Sequence, residues 1–264
     1  MERLRIKDLM LTIVFAVVYS GLRLVPTFPI VGAPGAFFAS SDILAPIYGV
    51  VLGPAVAPLS VTLGTFLSFA FGRAPIFLGL DFLPAAANAA VVGMLMKGRR
   101  GLPIACYAIA LALFSLHPYT SFLIRLPSSG VTVPFAWMHF LGLAILISPL
   151  SRKAAGWAKA STATRLFPAV AILAFIGTLV QHSVGSLLFE TILGSYMAVI
   201  KPEAFPTIWA AVFYLYPVER ASIVLLASLV GTGLIKALKA LGSCGDSHPP
   251  GHLTRALAKA ALKF

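Results

Sequence analysis

Apolar residues in this chain gather in long runs that glycine, proline and charged residues interrupt. Runs of this kind are typical of helices that cross a membrane, because about 20 apolar residues span the hydrocarbon core. The pattern therefore predicts an all-α, polytopic transmembrane bundle with about eight membrane segments. The predicted segments are 9–25, 37–52, 54–71, 76–96, 102–116, 133–150, 167–193 and 206–238.

The second and third predicted segments allow two interpretations. They meet at Gly53-Pro54 with no charge between them, and the second contains only 16 residues, fewer than a perpendicular span needs. They are either two short or tilted spans or a re-entrant hairpin that enters and leaves on one side. We favour two spans, and both interpretations leave the orientation of the remaining segments unchanged.

Composition excludes a soluble protein. Of the 264 residues, 59% are hydrophobic and 11% are charged, with a mean hydropathy of +0.95, whereas soluble domains carry about 25% charged residues. We expect a single transmembrane domain over 1–240 and a cytoplasmic tail over 241–264. In the tail, Arg255, Lys259 and Lys263 recur at helical spacing, which predicts either a basic amphipathic helix on the membrane surface or a solvated tail.

Basic residues are concentrated in four places: the N-terminus, 97–100, 152–165 and 236–263. The net charge of +12 would fit a nucleic-acid partner, but these residues alternate with apolar runs and mark orientation instead. Cytoplasmic loops of membrane proteins are rich in Lys and Arg. With eight segments, this rule places all four regions, and hence both termini, on the cytoplasmic side of the cell membrane.

Ionisable side chains inside membrane segments are costly and therefore mark candidate functional sites. Most of those in this chain fall in the extracellular half of their segments, which predicts a polar pocket open to the outside. His182 and Glu190, eight residues apart on one helix, are the leading candidates. The predicted substrate-binding residues are Asp42, Asp81, Arg125, His182 and Glu190.

Each of these polar residues also has a structural interpretation. Asp42 and Asp81 could cap helices, and Arg125 could extend to the membrane interface. Glu219 and Arg220, near the middle of the last segment, predict either a mid-membrane relay or an ion pair that joins helices.

Sequence signatures of catalysis are missing. The chain contains no His-Glu-x-x-His, no Gly-x-Ser-x-Gly and no phosphate-binding Gly-rich loop with lysine. We therefore predict that the protein is not an enzyme and that this chain holds no cofactor or metal.

Residues 8–97 contain four short sequence features that are found together in one family of membrane proteins, and a fifth lies near the C-terminus. They are Ala16-Val-Val-Tyr-Ser20, a Pro/Gly-rich loop over 25–35, Gly64, Ser41-Asp42-Ile-Leu-Ala-Pro-Ile-Tyr-Gly-Val-Val-Leu-Gly53-Pro54 and Tyr216-Pro-Val-Glu-Arg220. Together they resemble the substrate-binding, or S, components of energy-coupling factor (ECF) transporters. That family usually has six helices in a shorter chain, so two of the eight predicted segments have no counterpart in it.

The resemblance implies a membrane-embedded subunit that captures a vitamin-like small molecule from outside the cell. In that family a transmembrane coupling subunit and two ATPases drive transport, and small residues on the first helix contact the coupling subunit. Ala16 and Ser20 would form that contact here. The implied partners are the substrate, a coupling subunit, ATPase subunits and the lipid bilayer.

The leading hypothesis is thus the binding subunit of an ATP-driven uptake system. The alternative is a proton-coupled secondary transporter, with His182 and Glu219 as a relay in the membrane. An intramembrane enzyme that modifies lipids is a third hypothesis, and the lack of a recognisable nucleophile or metal set argues against it.

Overall fold

Helices form most of the part of the chain that the computed structural model describes, namely residues 6–126, 130–160 and 163–242. This confirms the all-α architecture that the apolar runs predict. The tail helix predicted around Arg255 and Lys263 lies outside the described residues. The described α-helices are α1 (Ile6–Arg23), α2 (Leu44–Ala70), α3 (Leu83–Met96), α4 (Gly101–Ser115), α5 (Trp137–Ile147), α6 (Pro149–Ala160), α7 (Ala163–Leu188) and α8 (Phe205–Gly242).

Short elements connect the helices. Two antiparallel β-hairpins follow α1 and α4, and α7 continues into a π-helix. The hairpins cannot be predicted from the sequence pattern, because strands of three or four residues leave almost no periodic pattern. The strands are β1 (Pro26–Pro29), β2 (Phe37–Ala39), β3 (Leu123–Arg125) and β4 (Thr132–Pro134); the π-helix covers Phe189–Tyr196, and single 3-10 turns cover Ser40–Ile43, Leu80–Phe82 and Pro202–Ala204.

The α2 helix consists of two arms, 44–52 and 54–70. Gly53 interrupts it with φ 81° and ψ −174°. Tyr48 in the first arm and Gly64 in the second both lie against Tyr19 of α1: the two tyrosine ring centroids are 6.1 Å apart, and a Cβ on Gly64 would lie 3.0 Å from Tyr19. A continuous helix would separate these two positions by about 24 Å. The chain therefore turns back at the boundary between the second and third predicted segments.

The α7 helix lies at the centre of the bundle. It packs against α2, α3, α4, α5, α6 and α8, and Leu173, Ile176 and Leu179 on it are fully buried. In contrast, α1 and α8 expose apolar side chains such as Val17 and Leu229. An apolar exterior of this kind is stable in lipid and unfavourable in water.

Helix length also fits a membrane. Within the described residues, three helical stretches are long and apolar enough to cross a bilayer: Ser40–Ala70, Thr164–Tyr196 and Pro202–Ala240. The first of these folds back at Gly53, so its two arms are shorter than the whole stretch. Shorter apolar helices cover Leu80–Met96, Gly101–Ser115 and Trp137–Ile147. The apolar helices support association of the protein with a membrane.

The predicted segment 133–150 is not one helix. It begins in β4 and contains α5, and α6 begins at Pro149 inside it and continues into the region expected to be a basic loop. Pro149 explains where α5 ends, because the residue before a proline avoids the helical conformation, and Ser148 is extended with φ −66° and ψ 164°. The Arg100 guanidinium donates hydrogen bonds to the carbonyl oxygens at this end. The acceptors are the carbonyl oxygens of Leu146, Ile147 and Ser148.

The two ends of the bundle differ in chemistry. At one end, which we term the basic end, three basic side chains make contacts. Lys97 lies 3.9 Å from a Cβ built on Gly53, and Arg100 caps α5. Lys239 donates to the carbonyl oxygen of Lys159. At the other, which we term the hairpin end, lie both β-hairpins, the turn between α2 and α3, and the π-helix. The hairpin end holds most of the candidate site.

Close backbone contact holds α3 against the turn of α2. A Cβ on Gly93 would lie 2.6 Å from the backbone of Gly53 and Pro54, so a side chain there requires the helices to separate. We expect Gly93→Ala to lower the free energy of unfolding by about 1–3 kcal/mol, measured by unfolding in mixed detergent micelles. Gly21→Ala is the matched control, because a Cβ there meets nothing within 4 Å and alanine favours the helix. Equal stability of the two variants would contradict the close contact.

Candidate functional site

A cavity opens at the hairpin end, between α3, α7 and α8. Residues of the first hairpin and of the turn between α2 and α3 cover it, and its volume is about 110 Å³, several times what one water molecule requires. The charged and polar side chains that line it are those of Arg23, Asp42, Arg73, Asp81, Gln181, His182, Ser186, Glu219 and Arg220. Its aromatic side chains are those of Phe37, Phe38, Phe77, Phe189 and Trp209.

A chain of buried hydrogen bonds joins three helical elements on one side of the cavity. Gln181 on α7 donates from Nε2 to Asp42 Oδ1 at 2.8 Å, and Asn88 on α3 donates from Nδ2 to Gln181 Oε1, also at 2.8 Å. All three side chains are buried. Because buried polar groups are costly without partners, this chain fixes the Asp42 carboxylate at the cavity wall.

Arg220 is the most deeply buried charge of the site, with 1% of its surface exposed. Its Nη2 pairs with Glu219, its Nη1 donates to Thr178 Oγ1 at 3.2 Å, and its guanidinium lies 5.5 Å from the ring centroid of Phe38. Its Nε has no hydrogen-bond partner. The ion pair that the sequence predicts for Glu219 and Arg220 is therefore present, but it joins neighbours on one helix rather than two helices.

Two further arginines lie at the rim of the cavity. Asp81 accepts hydrogen bonds from the backbone N–H groups of Ile76 and Phe77 at 2.9 and 3.0 Å, and Arg23 Nη2 lies 3.7 Å from Asp81 Oδ1. Arg73 donates to the carbonyl oxygens of Arg23 and Phe37. Burial, together with the charge of Arg23, lowers the pKa of Arg73. The rim thus holds two cations and one carboxylate, and Asp81 both caps a turn and pairs with Arg23.

A pair of histidines extends the polar network away from the cavity. His182, which lines the cavity, has its Nδ1 2.8 Å from Nε2 of His139. The His182 ring stacks on Tyr216 and the His139 ring lies tilted beside it, with centroids 5.2 and 5.5 Å from that of Tyr216. The Tyr216 hydroxyl donates to the carbonyl oxygen of Phe135 at 2.9 Å. One imidazole must donate and the other accept in such a pair, so the two rings fix each other's tautomer.

The structure places three of the five predicted binding residues, Asp42, Asp81 and His182, in one cavity. Arg125 does not line it and is exposed on β3. Glu190 does not line it either. The spacing argument for Glu190 fails because an α-helix turns 100° per residue, which puts Glu190 about 80° around from His182. Phe189, about 20° around from His182, lines the cavity instead.

Glu190 belongs to a separate buried cluster. It is completely buried at the start of the π-helix, with Thr120 Oγ1 2.8 and 2.9 Å from its two carboxylate oxygens and His117 Nδ1 3.3 Å from Oε2. Burial lowers the pKa of His117. This cluster ties the loop after α4 to α7 and gives Glu190 a structural role.

Ala16 and Ser20, predicted to contact a partner subunit, are both 1% exposed. A Cβ on Gly64 of α2 would lie 2.6 Å from the carbonyl oxygen of Ala16, so this face of α1 packs inside the chain. In the structure these small residues bring α1 and α2 together, so Ala16 and Ser20 have almost no exposed surface of their own, and their contact with another subunit stays a prediction.

The polar site residues that the predicted set omits are Gln181, Asn88, Arg23, Arg73 and Ser186. The signal for the first two was present in the sequence, since an isolated amide in an apolar run usually bonds to another helix. What the sequence could not show is that these two amides pair with each other and with Asp42. Among the described residues, no group of three or more His, Cys, Asp and Glu side chains is placed to hold a metal ion.

No protein-family model matches the chain, and comparisons with curated proteins and with solved structures give no match. The assignment of a function therefore depends on the geometry of the cavity.

Proposed function

We propose that this protein is a multi-pass protein of the cell membrane that binds a small molecule in the hairpin-end cavity and takes part in its uptake. The observation that carries the proposal is the cavity itself, in which Asp42, His182 and Arg220 lie among aromatic rings. Ligand sites are typically apolar pockets with a few convergent polar groups. Buried charges in a membrane bundle also mark substrate pathways.

The proposed topology has eight segments, with both termini and the basic end in the cytoplasm and the hairpin end outside. The basic end supports this orientation, because the contacts of Lys97, Arg100, Lys159 and Lys239 all lie at that end. Cytoplasmic surfaces of membrane proteins are rich in such residues. With the cavity at the hairpin end, the ligand would enter from the extracellular side.

Cysteine labelling tests this topology. Thr27 at the hairpin end and Arg99 at the basic end are both exposed, and a cysteine at either one can be placed in a chain that carries Cys106→Ser and Cys244→Ser. In intact cells, an impermeant maleimide should label Thr27→Cys, whereas Arg99→Cys should react only after permeabilisation. The reverse pattern would overturn the orientation.

We further propose that the protein works as an S component of an ECF-type transporter, with a coupling subunit and ATPases as partners. The likeness of 41–54 and of 216–220 to that family supports this. Because Ala16 and Ser20 are buried, the coupling subunit would need another face, and the exposed side of α1, with Val14 and Val18, is available. Any ATP hydrolysis would then occur on the partner subunits.

A proton-coupled secondary transporter is the second candidate. The observation that favours it is the buried hydrogen bond between His139 and His182, since paired histidines in a membrane can pass a proton. No described hydrogen bond or ion pair joins His182 to Glu219, although both line the cavity. In this candidate we propose that His139 and His182 carry the proton. Uptake into liposomes by the purified chain alone, driven by a pH gradient, would favour this candidate over the S component.

The binding function can be tested through the histidine of the cavity. We expect His182→Ala to lower ligand affinity about tenfold, because a polar contact in a site that excludes water contributes about 1–3 kcal/mol. The measurement is mass spectrometry of small molecules that stay bound during purification in detergent. Glu190→Gln, outside the cavity, should retain them at the wild-type level. Equal retention by all three proteins would count against a site at this cavity.

A further inference from the structure

The arginines of the cavity have more hydrogen-bond donors than the surrounding protein uses. Arg220 and Arg23, 1% and 6% exposed, each have an Nε without a hydrogen-bond partner. Arg73 donates only to carbonyl oxygens and forms no ion pair with any carboxylate of the described chain. An arginine has five N–H donors, and a buried donor without an acceptor costs free energy. The free cavity therefore lacks acceptors.

The carboxylates of the same cavity already have donors. Asp81 accepts from two backbone N–H groups, Asp42 accepts from Gln181, and Glu219 pairs with Arg220. A cationic ligand would have to compete with these donors. An anionic ligand would meet two guanidinium groups, those of Arg23 and Arg220, whose Nε–H has no acceptor in the protein. The balance of donors and acceptors therefore favours a ligand with a negative group.

The rest of the cavity wall is flat and apolar. Phe38 lies under the Arg220 guanidinium, and Phe189 and Trp209 pack edge to face with ring centroids 5.9 Å apart. Aromatic walls of this kind favour a planar or cyclic apolar body. An arginine N–H that donates to a carboxylate forms a charge-assisted hydrogen bond, which is stronger than a hydrogen bond between neutral groups.

From these features we infer that the ligand is an organic carboxylate with a flat or cyclic apolar body, and that Arg220 donates to its carboxylate from the unpaired Nε–H. Arg23 and Arg73 attract the anion at the rim. The inference rests on the proposed function, since it names the class of molecule that the same cavity takes up.

Matched pairs of probes test the inference. The full chain in phosphatidylcholine nanodiscs is titrated with benzoate and benzamide, with indole-3-acetate and indole-3-acetamide, and with tryptamine as the cationic probe, and binding is followed by the thermal shift. Within at least one pair, the carboxylate should bind about tenfold or more tightly than its amide, because the amide loses the charge-assisted hydrogen bonds. Nanodiscs that contain phosphatidylglycerol serve as a competing source of anionic groups.

The control variant must keep the protein folded without the charge. The double variant Glu219→Gln/Arg220→Met removes both members of the ion pair, so neither Glu219 nor Arg220 is left as an unpaired charge. Proteins tolerate such a change. It should lose the preference for the carboxylate while its cooperative thermal transition remains. Arg73→Gln should weaken carboxylate binding by a smaller factor, because Arg73 lies at the rim.

The outcomes separate the inference from the proposed function. If amides or tryptamine bind as tightly as the carboxylates, and Gly185→Trp abolishes that binding, the cavity is a ligand site but the carboxylate inference is wrong. If phosphatidylglycerol removes carboxylate binding, the anion of the site is a lipid phosphate, which also overturns it. If no probe binds and no small molecule is retained during purification, the proposed function fails as well.

Discussion

Replacing Arg220 with alanine is expected to lower the free energy of unfolding by about 3–5 kcal/mol. The physical reason is that Glu219, 2% exposed, loses the cation that pairs with it and remains as an isolated charge in a medium of low polarity. Thr178 loses its donor at the same time. The effect can be measured by unfolding the purified protein in mixed micelles of dodecylmaltoside and sodium dodecyl sulfate.

The double variant Glu219→Gln/Arg220→Met shows whether the unpaired charge causes that loss. Because both charges are absent, it should recover most of the stability that Arg220→Ala loses. If the single and the double variant are equally unstable, the packing of the arginine side chain matters and the buried charge does not. If Arg220→Ala is as stable as the wild type, Glu219 has access to solvent and the site is not enclosed.

Replacing Gly185 with tryptophan should abolish ligand retention. Gly185 lines the cavity from α7, and a Cβ there meets only Pro84, at 3.8 Å, so the indole can grow into the space that a ligand would occupy. Retention is measured by mass spectrometry of the small molecules released when the purified protein is denatured. We expect none above background from this variant.

The matched control is Gly21→Trp, on the exposed side of α1, where a Cβ meets nothing within 4 Å. This variant should retain ligand as the wild type does. Normal retention by Gly185→Trp would show that ligand, if present, binds elsewhere. Loss of retention by both variants would point to a general effect of tryptophan on folding.

The sequence predicts the helices well because a long apolar run indicates a helix in an apolar environment, and an interruption of the run indicates where the helix ends. Gly53-Pro54 illustrates this: a charge-free Gly-Pro step between two short apolar runs indicates a reversal, and the structure turns back at Gly53. The break at Pro149 was missed because α5 and the start of α6 are apolar enough to read as one run. The proline that causes it is visible in the sequence, because the residue before a proline avoids the helical conformation. The capping contact of Arg100 with the end of α5 is not visible, since it joins residues 46 to 48 positions apart.

The site was predicted in part for the same reason. Asp42, Asp81 and His182 stand out as ionisable residues in apolar segments, and all three line the cavity. Glu190 stands out equally, but its direction around the helix decides its role, and it faces Thr120. Ala16 and Ser20 fit a contact patch by spacing alone, yet which surface such a patch meets depends on how α1 packs. The residue type in an apolar segment indicates that a side chain makes a specific contact. Only the fold shows which residue it contacts.

The central claim is that the hairpin-end cavity holds a small molecule inside a membrane-embedded bundle. The most direct measurement is an experimental density map of the purified protein in lipid nanodiscs, with a bound antibody fragment to aid alignment. The account predicts non-protein density in contact with the Arg220 guanidinium and the Phe38 ring. A map in which the side chains of Phe38, Phe189 and Trp209 close together and fill the space beside Arg220 would contradict it.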